Sequence, residues 1–437
     1  MSVELITVLM FAGVFIGVFM GFPVAFTLAG MGLIFGLTGW GPMVVPLLAS
    51  KTFGVFQNYT YIAIPLFIFM GAMLDTSGVA ETAFNCLGYW MRKIKGGVGI
   101  ATLVLCIIFA ACTGVVGASV TAMGLLALPA MLKRGYNHSL ATGIVAAGGS
   151  LGILIPPSIM LVIFGPAAGI SVVKLFSAAI VPGVGLGIMY ILYTFFVVRL
   201  RKDMIKDTFD YESSDFAEAS LLKGLLALVP FLFLIVAVLG MILGGVCAPT
   251  EAAATGALGS IILALAYRKL NWKTILNAAV SALKTSTMVY FIAMGANIFT
   301  AVFFGIGCNF VVEKAILGIG LGPWGTLIAV LLIVFILGML IDWLGIMLII
   351  MPIFLPILNS FGFDTLWTVM MIVVMLQTSF ITPPFATSLF YLMGVVPPNV
   401  TTGEIYRGVP AFVIIILIML VLMAIFPQIT LWLPSRI

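Results

Sequence analysis

A chain of 437 residues that is 63% hydrophobic and only 8% charged, with a mean hydropathy of +1.32, carries too little polar surface to fold as a soluble globule. It is long enough for about ten spans of roughly 20 residues each, which makes it a polytopic all-α protein of the lipid bilayer. The net charge of +5 comes from basic residues scattered over short loops, with no basic face or tract, so nucleic acid is excluded as a partner.

Only Glu4 precedes the first apolar run, so no basic region marks a cleavable leader. Arg92, Lys93 and Lys95 then precede an uncharged run from Gly96 to Leu132, and Lys133 and Arg134 follow it. The positive-inside rule puts both ends in the cytoplasm. Helix over those 37 residues would be about 55 Å long, nearly twice the hydrocarbon thickness, so the run goes in and comes back. Its middle, Ala111 to Ser119, is small and hydroxylated and suits the tip of a re-entrant hairpin (96–133); two ordinary spans are the alternative. From Arg134 the chain crosses outward through Gly152–Met160, where Pro156 and Pro157 interrupt an apolar segment (138–166), and it returns along Val172 to Val198. The charged stretch 199–223 reads as a cytoplasmic linker. Leu225 to Leu243 goes out, Thr250 to Tyr267 comes back, and Thr274 to Phe304 goes out again. A second hairpin (322–360), a second proline-interrupted segment (365–392) and a last crossing complete the chain. Of the 19 basic residues, 14 fall in cytoplasmic loops on this reading, and both termini lie outside. Trp40, Trp90, Trp272, Trp324, Trp367 and Trp432 sit near span ends, where an interfacial belt is expected. The five cysteines show no C-x-x-C spacing and the single His138 is no metal companion, so they are read as packing residues.

The chain repeats itself. Shifted by 227 positions, Pro129 falls on Pro356, Gly135 on Gly362, and Pro156-Pro157 on Pro383-Pro384; Pro23 and Gly30 fall on Pro249 and Gly256 at a slightly shorter offset. Residues 1–198 and 224–437 are therefore two repeats, each with five crossings, one hairpin and one broken helix. An odd number of crossings inverts the second repeat relative to the first. Inverted repeats with helices interrupted at matching positions are the signature of secondary transporters, whose sites lie where the halves meet. The proline pairs then have a reason: they free carbonyls to bind a cation and half-helix N-termini to face an anion.

Two symmetry-related cation sites are expected. The first combines Ser150, Gly152, Pro156 and Ser158 at the break with Thr113, Gly114, Gly117 and Ser119 at the facing tip. The second combines Thr378, Ser379, Thr382, Pro383 and Thr387 with Asp342, the only charge between Lys314 and Asp364. Neutral oxygens with at most one carboxylate suit a hard monovalent ion such as Na⁺. An intramembrane carboxylate reads as functional by default, although Asp342 also stands where it would cap a helix. Glu251 reads as a dipole-compensating residue at a helix start. A membrane-embedded enzyme would need a histidine or acidic constellation that one histidine and one deep Asp do not supply; an ion channel is a further alternative.

The paired stretches "GASVTAMGLLALPAMLKRGY…GGSLGILIPPSIMLVIFG" and "GMLIDWLGIMLIIMPIFLPI…TSFITPPFATSLFYLMGV", with "APTEAAATGALG" opening the second half, resemble the large DctM-type membrane subunit of the tripartite ATP-independent periplasmic (TRAP) transporters over the whole chain. The resemblance implies a bacterial inner-membrane permease that imports a small organic anion with Na⁺. It also implies a small four-helix membrane subunit (Q type), a periplasmic substrate-binding protein (P type) and an elevator motion of hairpins and broken helices. The sequence departs from the family pattern at the first tip, Thr113 to Ser119, where Ser-Gly-x-Ser-Gly-Ser is common, and at Ala386, where Gly is frequent.

Overall fold

The computed structural model describes residues 1–76, 79–91, 93–205 and 221–437, apart from the side chains of 76, 79, 80, 110, 112, 113, 202, 221–228 and 231. Among these residues the chain is helical, with no β-strand beyond one antiparallel bridge between Tyr136 and Ile205. Among the described residues, seven helices are long and apolar enough to cross a membrane.

One series of elements occurs twice. Val3–Phe19 and Val24–Trp40 correspond to Leu221–Leu243 and Pro249–Ala266. Val44–Phe56 and Ala63–Thr76 correspond to a single helix of 35 residues, Trp272–Ile306. The first repeat breaks there, where the Asn58 side-chain Oδ1 accepts from Thr60 N at 3.1 Å and caps a 3₁₀ turn, a device the long helix lacks. Short helices Val79–Met91 and Cys308–Gly318 follow. Next come the hairpins, Gly97–Thr113 with Val116–Lys133 and Gly322–Gly338 with Trp343–Ser360. The broken helices are His138–Ser150 with Ile159–Ala168 and Thr365–Ile381 with Thr387–Met393; Val172–Leu200 and Pro410–Ile425 close the two repeats. The fold is that of two inverted helical repeats, each with a hairpin and a broken helix.

Two bodies of packing follow from residue size. Val24–Trp40 crosses Trp272–Ile306 at a point where a β-carbon on Gly295 would run into the Ala25 carbonyl, and Gly256 on Pro249–Ala266 admits the Met70 side chain of Ala63–Thr76. Small residues at helix crossings let backbones approach, the packing that lipid permits. These helices form a scaffold. The hairpins, the broken helices and the two closing helices form the second body, joined at one seam by Gly143 and Gly408, each of which presses on backbone of the other's segment, and by the His138 Nδ1 to Glu404 Oε1 contact of 3.0 Å.

Of the charged stretch read as a linker, 206–220 lie outside the described residues; at its two ends the helix Val172–Leu200 runs through Arg199, whose guanidinium lies 3.7 Å over the Phe195 ring, and the next helix starts at Leu221. Trp367 is no belt residue. It is buried, stacks on Phe363 and donates Nε1–H to the Met423 carbonyl at 3.0 Å, because Pro410–Ile425 covers that end of the broken helix. Trp40, Trp272, Trp324 and Trp432 are exposed.

Candidate functional site

Each hairpin tip touches the break of its own repeat. At the first, the chain turns at Gly114 (φ +58°) and Val115, and the Pro157 carbonyl lies 3.3 Å from where a β-carbon on Gly114 would stand. A β-carbon on Gly152 would lie 3.5 Å from the Val115 carbonyl oxygen and 3.6 Å from Ser119 Oγ, so tip oxygens converge on the break. At the second, Phe385 N–H donates to the Met339 carbonyl at 2.9 Å. The outgoing arms pack on the broken helix of their own repeat and also reach across to the other. Val116–Lys133 lies on Thr387–Met393, with the Tyr391 ring 2.7 Å from the β-carbon position of Gly117, and Trp343–Ser360 lies on Ile159–Ala168.

The breaks are held by their own hydroxyls. Ser158 donates to the Ile153 carbonyl and accepts from Leu161 N at 3.5 Å, closing the gap between the half-helices. Ser150 donates to Ala147 O at 2.8 Å, Thr378 to Met375 O at 2.7 Å and Ser379 to Leu376 O at 2.7 Å. A hydroxyl that donates its proton keeps lone pairs for a cation. The donor set is oxygen throughout, from carbonyls, hydroxyls and one carboxylate, and it fits an alkali cation better than a transition metal. Asp342 is half-buried at the second tip, where it caps Trp343–Ser360 and accepts from Leu344 N at 3.3 Å.

Between tips and breaks lies a cavity of about 300 Å³. Gly114 to Gly117 line it from the first tip, Asp342 and Trp343 from the second, Ile153, Ile159, Phe380 and Thr387 from the breaks, and Lys284, Thr285, Met288 and Val289 from the long scaffold helix. Of the residues expected from sequence, Gly114, Gly117, Asp342 and Thr387 therefore share one space, and Ser119 and Gly152 meet behind the first tip. Ser150, Ser158, Thr378 and Ser379 are buried around the breaks. Thr113 ends the first arm, its side chain outside the described ones. Thr382 is turned away: its hydroxyl donates to Thr378 O at 2.6 Å, and with Pro383 it lines a separate lateral cavity of about 280 Å³ alongside Tyr406 and Pro410. Sequence reasoning did not single out Lys284, Trp343, Phe380 or Tyr391. Lys284 carried a usable signal, as a cation well inside an apolar helix.

Ala386, buried beside Thr387, has φ +30° and ψ +65°. Left-handed backbone costs an L-residue roughly 1–2 kcal/mol, and the unfolded freedom of glycine returns about 0.5–1 of that. Ala386→Gly is therefore expected to stabilise the protein by up to about 1 kcal/mol, read as a raised midpoint of thermal unfolding in detergent; a lowered midpoint would refute the strain.

Against this geometry, the family model described as "Tripartite ATP-independent periplasmic transporter, DctM component" matches residues 7–429. The chain belongs to the DctM family. It is 33% identical over 397 residues to the C4-dicarboxylate TRAP transporter large permease protein DctM of Pseudomonas aeruginosa, covering 91% of each chain. It is 32% identical over 376 residues to the isethionate TRAP transporter permease protein DctMQ of Oleidesulfovibrio alaskensis, covering 85% of this chain and 58% of that one. Among solved structures, the Alcanivorax borkumensis YdaH transporter superposes with a TM-score of 0.64 at 15% identity, over 97% of this chain and 98% of that one, a likeness of fold. This DctM chain is thus the large permease component of a TRAP transporter, an integral membrane protein of solute transport and not an enzyme.

Proposed function

We propose that this DctM chain imports a small organic anion, of the C4-dicarboxylate class named for its Pseudomonas relative, coupled to Na⁺ entry. The observation that carries this is the shared cavity. Both tips, both breaks and the scaffold helix converge on about 300 Å³, the lower end of small-molecule sites, with one cationic and one anionic side chain on its wall. Oxygen clusters behind the first tip and beside Asp342 support two Na⁺ positions. Hairpins and broken helices, interlocked across the repeats, would move as an elevator against the scaffold. The chain sits in the bacterial inner membrane with both termini periplasmic. A small four-helix Q-type subunit joins it, a pairing supported by the DctMQ relative that this chain covers only in part, and a P-type binding protein delivers the solute.

The test is reconstitution. Vesicles holding the chain and its small subunit should take up labelled succinate under an inward Na⁺ gradient only when the loaded binding protein is outside. Saturable uptake of free succinate without that protein would refute the tripartite delivery, and uptake indifferent to Na⁺ would refute the coupling.

A further inference from the structure

We infer that Lys284, on the scaffold, is the anchor for a carboxylate of the transported solute. The inference rests on the reading of the central cavity as the solute site. Lys284 stands 12 residues into the 35-residue helix Trp272–Ile306, with no Asp or Glu anywhere on that helix. It lines the central cavity together with Thr285, Met288 and Val289, one face of the helix at i, i+1, i+4 and i+5. Among the described residues no carboxylate lies within salt-bridge distance of its ammonium. Asp342, on the same cavity wall, is occupied as a helix cap. The Lys284 side chain is exposed and open to the cavity, and an unpaired cation within an apolar span marks the path of a counter-ion. Apart from Asp342 and the hydroxyls of Thr285, Thr387 and Tyr391, the wall is apolar or aromatic, and it offers an anion nothing else of positive charge.

The same helix continues the polar face downward. A second cavity of about 190 Å³, which shares Val115 and Thr285 with the first, is lined by Ser281 and Asn277, one and two turns nearer the start of the helix, and by Asp75 across from them. Asn277, Ser281 and Thr285 recur at four-residue spacing, a hydrogen-bonding track leading from Lys284 toward Trp272. A solute leaving the anchor along this track exchanges the ammonium for neutral amide and hydroxyl groups, and Asp75 repels it onward. Because the anchor belongs to the scaffold, the ammonium holds the anion in the state where the cavity faces this helix, and the moving body carries it elsewhere.

Equilibrium binding of labelled succinate to the purified complex with its small subunit tests this, with unlabelled succinamide as a neutral competitor and uptake from the binding protein measured in parallel. Lys284→Gln should raise the half-saturating succinate concentration at least tenfold, about 1.4 kcal/mol. Lys284→Arg should stay within about threefold, and both should keep the wild-type Na⁺ dependence and succinamide competition. A structural role would move all of these together, so Gln and Arg variants equally impaired would overturn the anchor. Wild-type uptake with an unchanged Gln variant overturns the anchor alone. A wild-type complex that takes up nothing overturns the transporter reading and the anchor with it.

Discussion

Asp342→Asn should raise the Na⁺ concentration for half-maximal uptake by at least about tenfold, about 1.4 kcal/mol, with expression and assembly unchanged. The carboxylate stands at the second tip, on the cavity wall, beside the break that carries Thr378 and Ser379. Opposite charges a few ångströms apart at low effective dielectric attract by several kcal/mol, which offsets the dehydration of a cation where bulk water is absent. The side chain also caps Trp343–Ser360 through Leu344 N. Asn caps about as well as Asp, so the substitution removes charge and keeps the cap. Flux against Na⁺ concentration in reconstituted vesicles separates the two roles. An unchanged half-saturation would leave Asp342 as a cap and remove it from the cation site.

Gly408→Ala should be among the most disruptive single-methyl additions in the body formed by hairpins and broken helices. A β-carbon there would collide with the Ser139 carbonyl, and one on Gly143 would collide with the Gly408 carbonyl. The obstacle is backbone on both sides, so no side-chain rotation relieves it. Overpacking costs typically 1–3 kcal/mol and more where nothing gives. About 3 kcal/mol is expected, with a corresponding fall in thermal midpoint and yield. Gly403→Ala is the control: it lies on the neighbouring short helix with open space around it, and there alanine improves helix propensity by about 0.5–1 kcal/mol. Equal behaviour of the two variants would show that the seam is not tight.

The breaks, tips and repeats were legible because the residues that make them act locally. A proline pair ends a helix wherever it falls, Gly114 permits its own positive φ, and Asp342 caps the helix that begins one residue later. The cavity wall was legible only in part. Tyr391 reaches the first tip because the second repeat's half-helix lies under an arm of the first repeat, far away in sequence, and no local pattern encodes that pairing. Phe380 and Trp343 read as ordinary apolar residues until the fold turns them inward. Trp367 misled for the same reason, since its position near a span end was correct and the helix that covers it comes from the last crossing. Thr382 stands in the proline motif just past the end of its helix and lines the lateral cavity, not the central one.

The exchange of arms between repeats bears on how such a protein could arise. Val116–Lys133 covers the half-helix Thr387–Met393, and Trp343–Ser360 covers Ile159–Ala168. A half-length ancestor would have rested its arm on its own broken helix, as Val116–Lys133 rests on His138–Ser150, but would have left the outer face of the arm and part of the half-helix uncovered. A second copy inserted upside down supplies that cover. Duplication would then fix, in one reading frame, a partnership between oppositely oriented subunits, with one tip and one break from each copy held at a set ratio by the covalent chain itself.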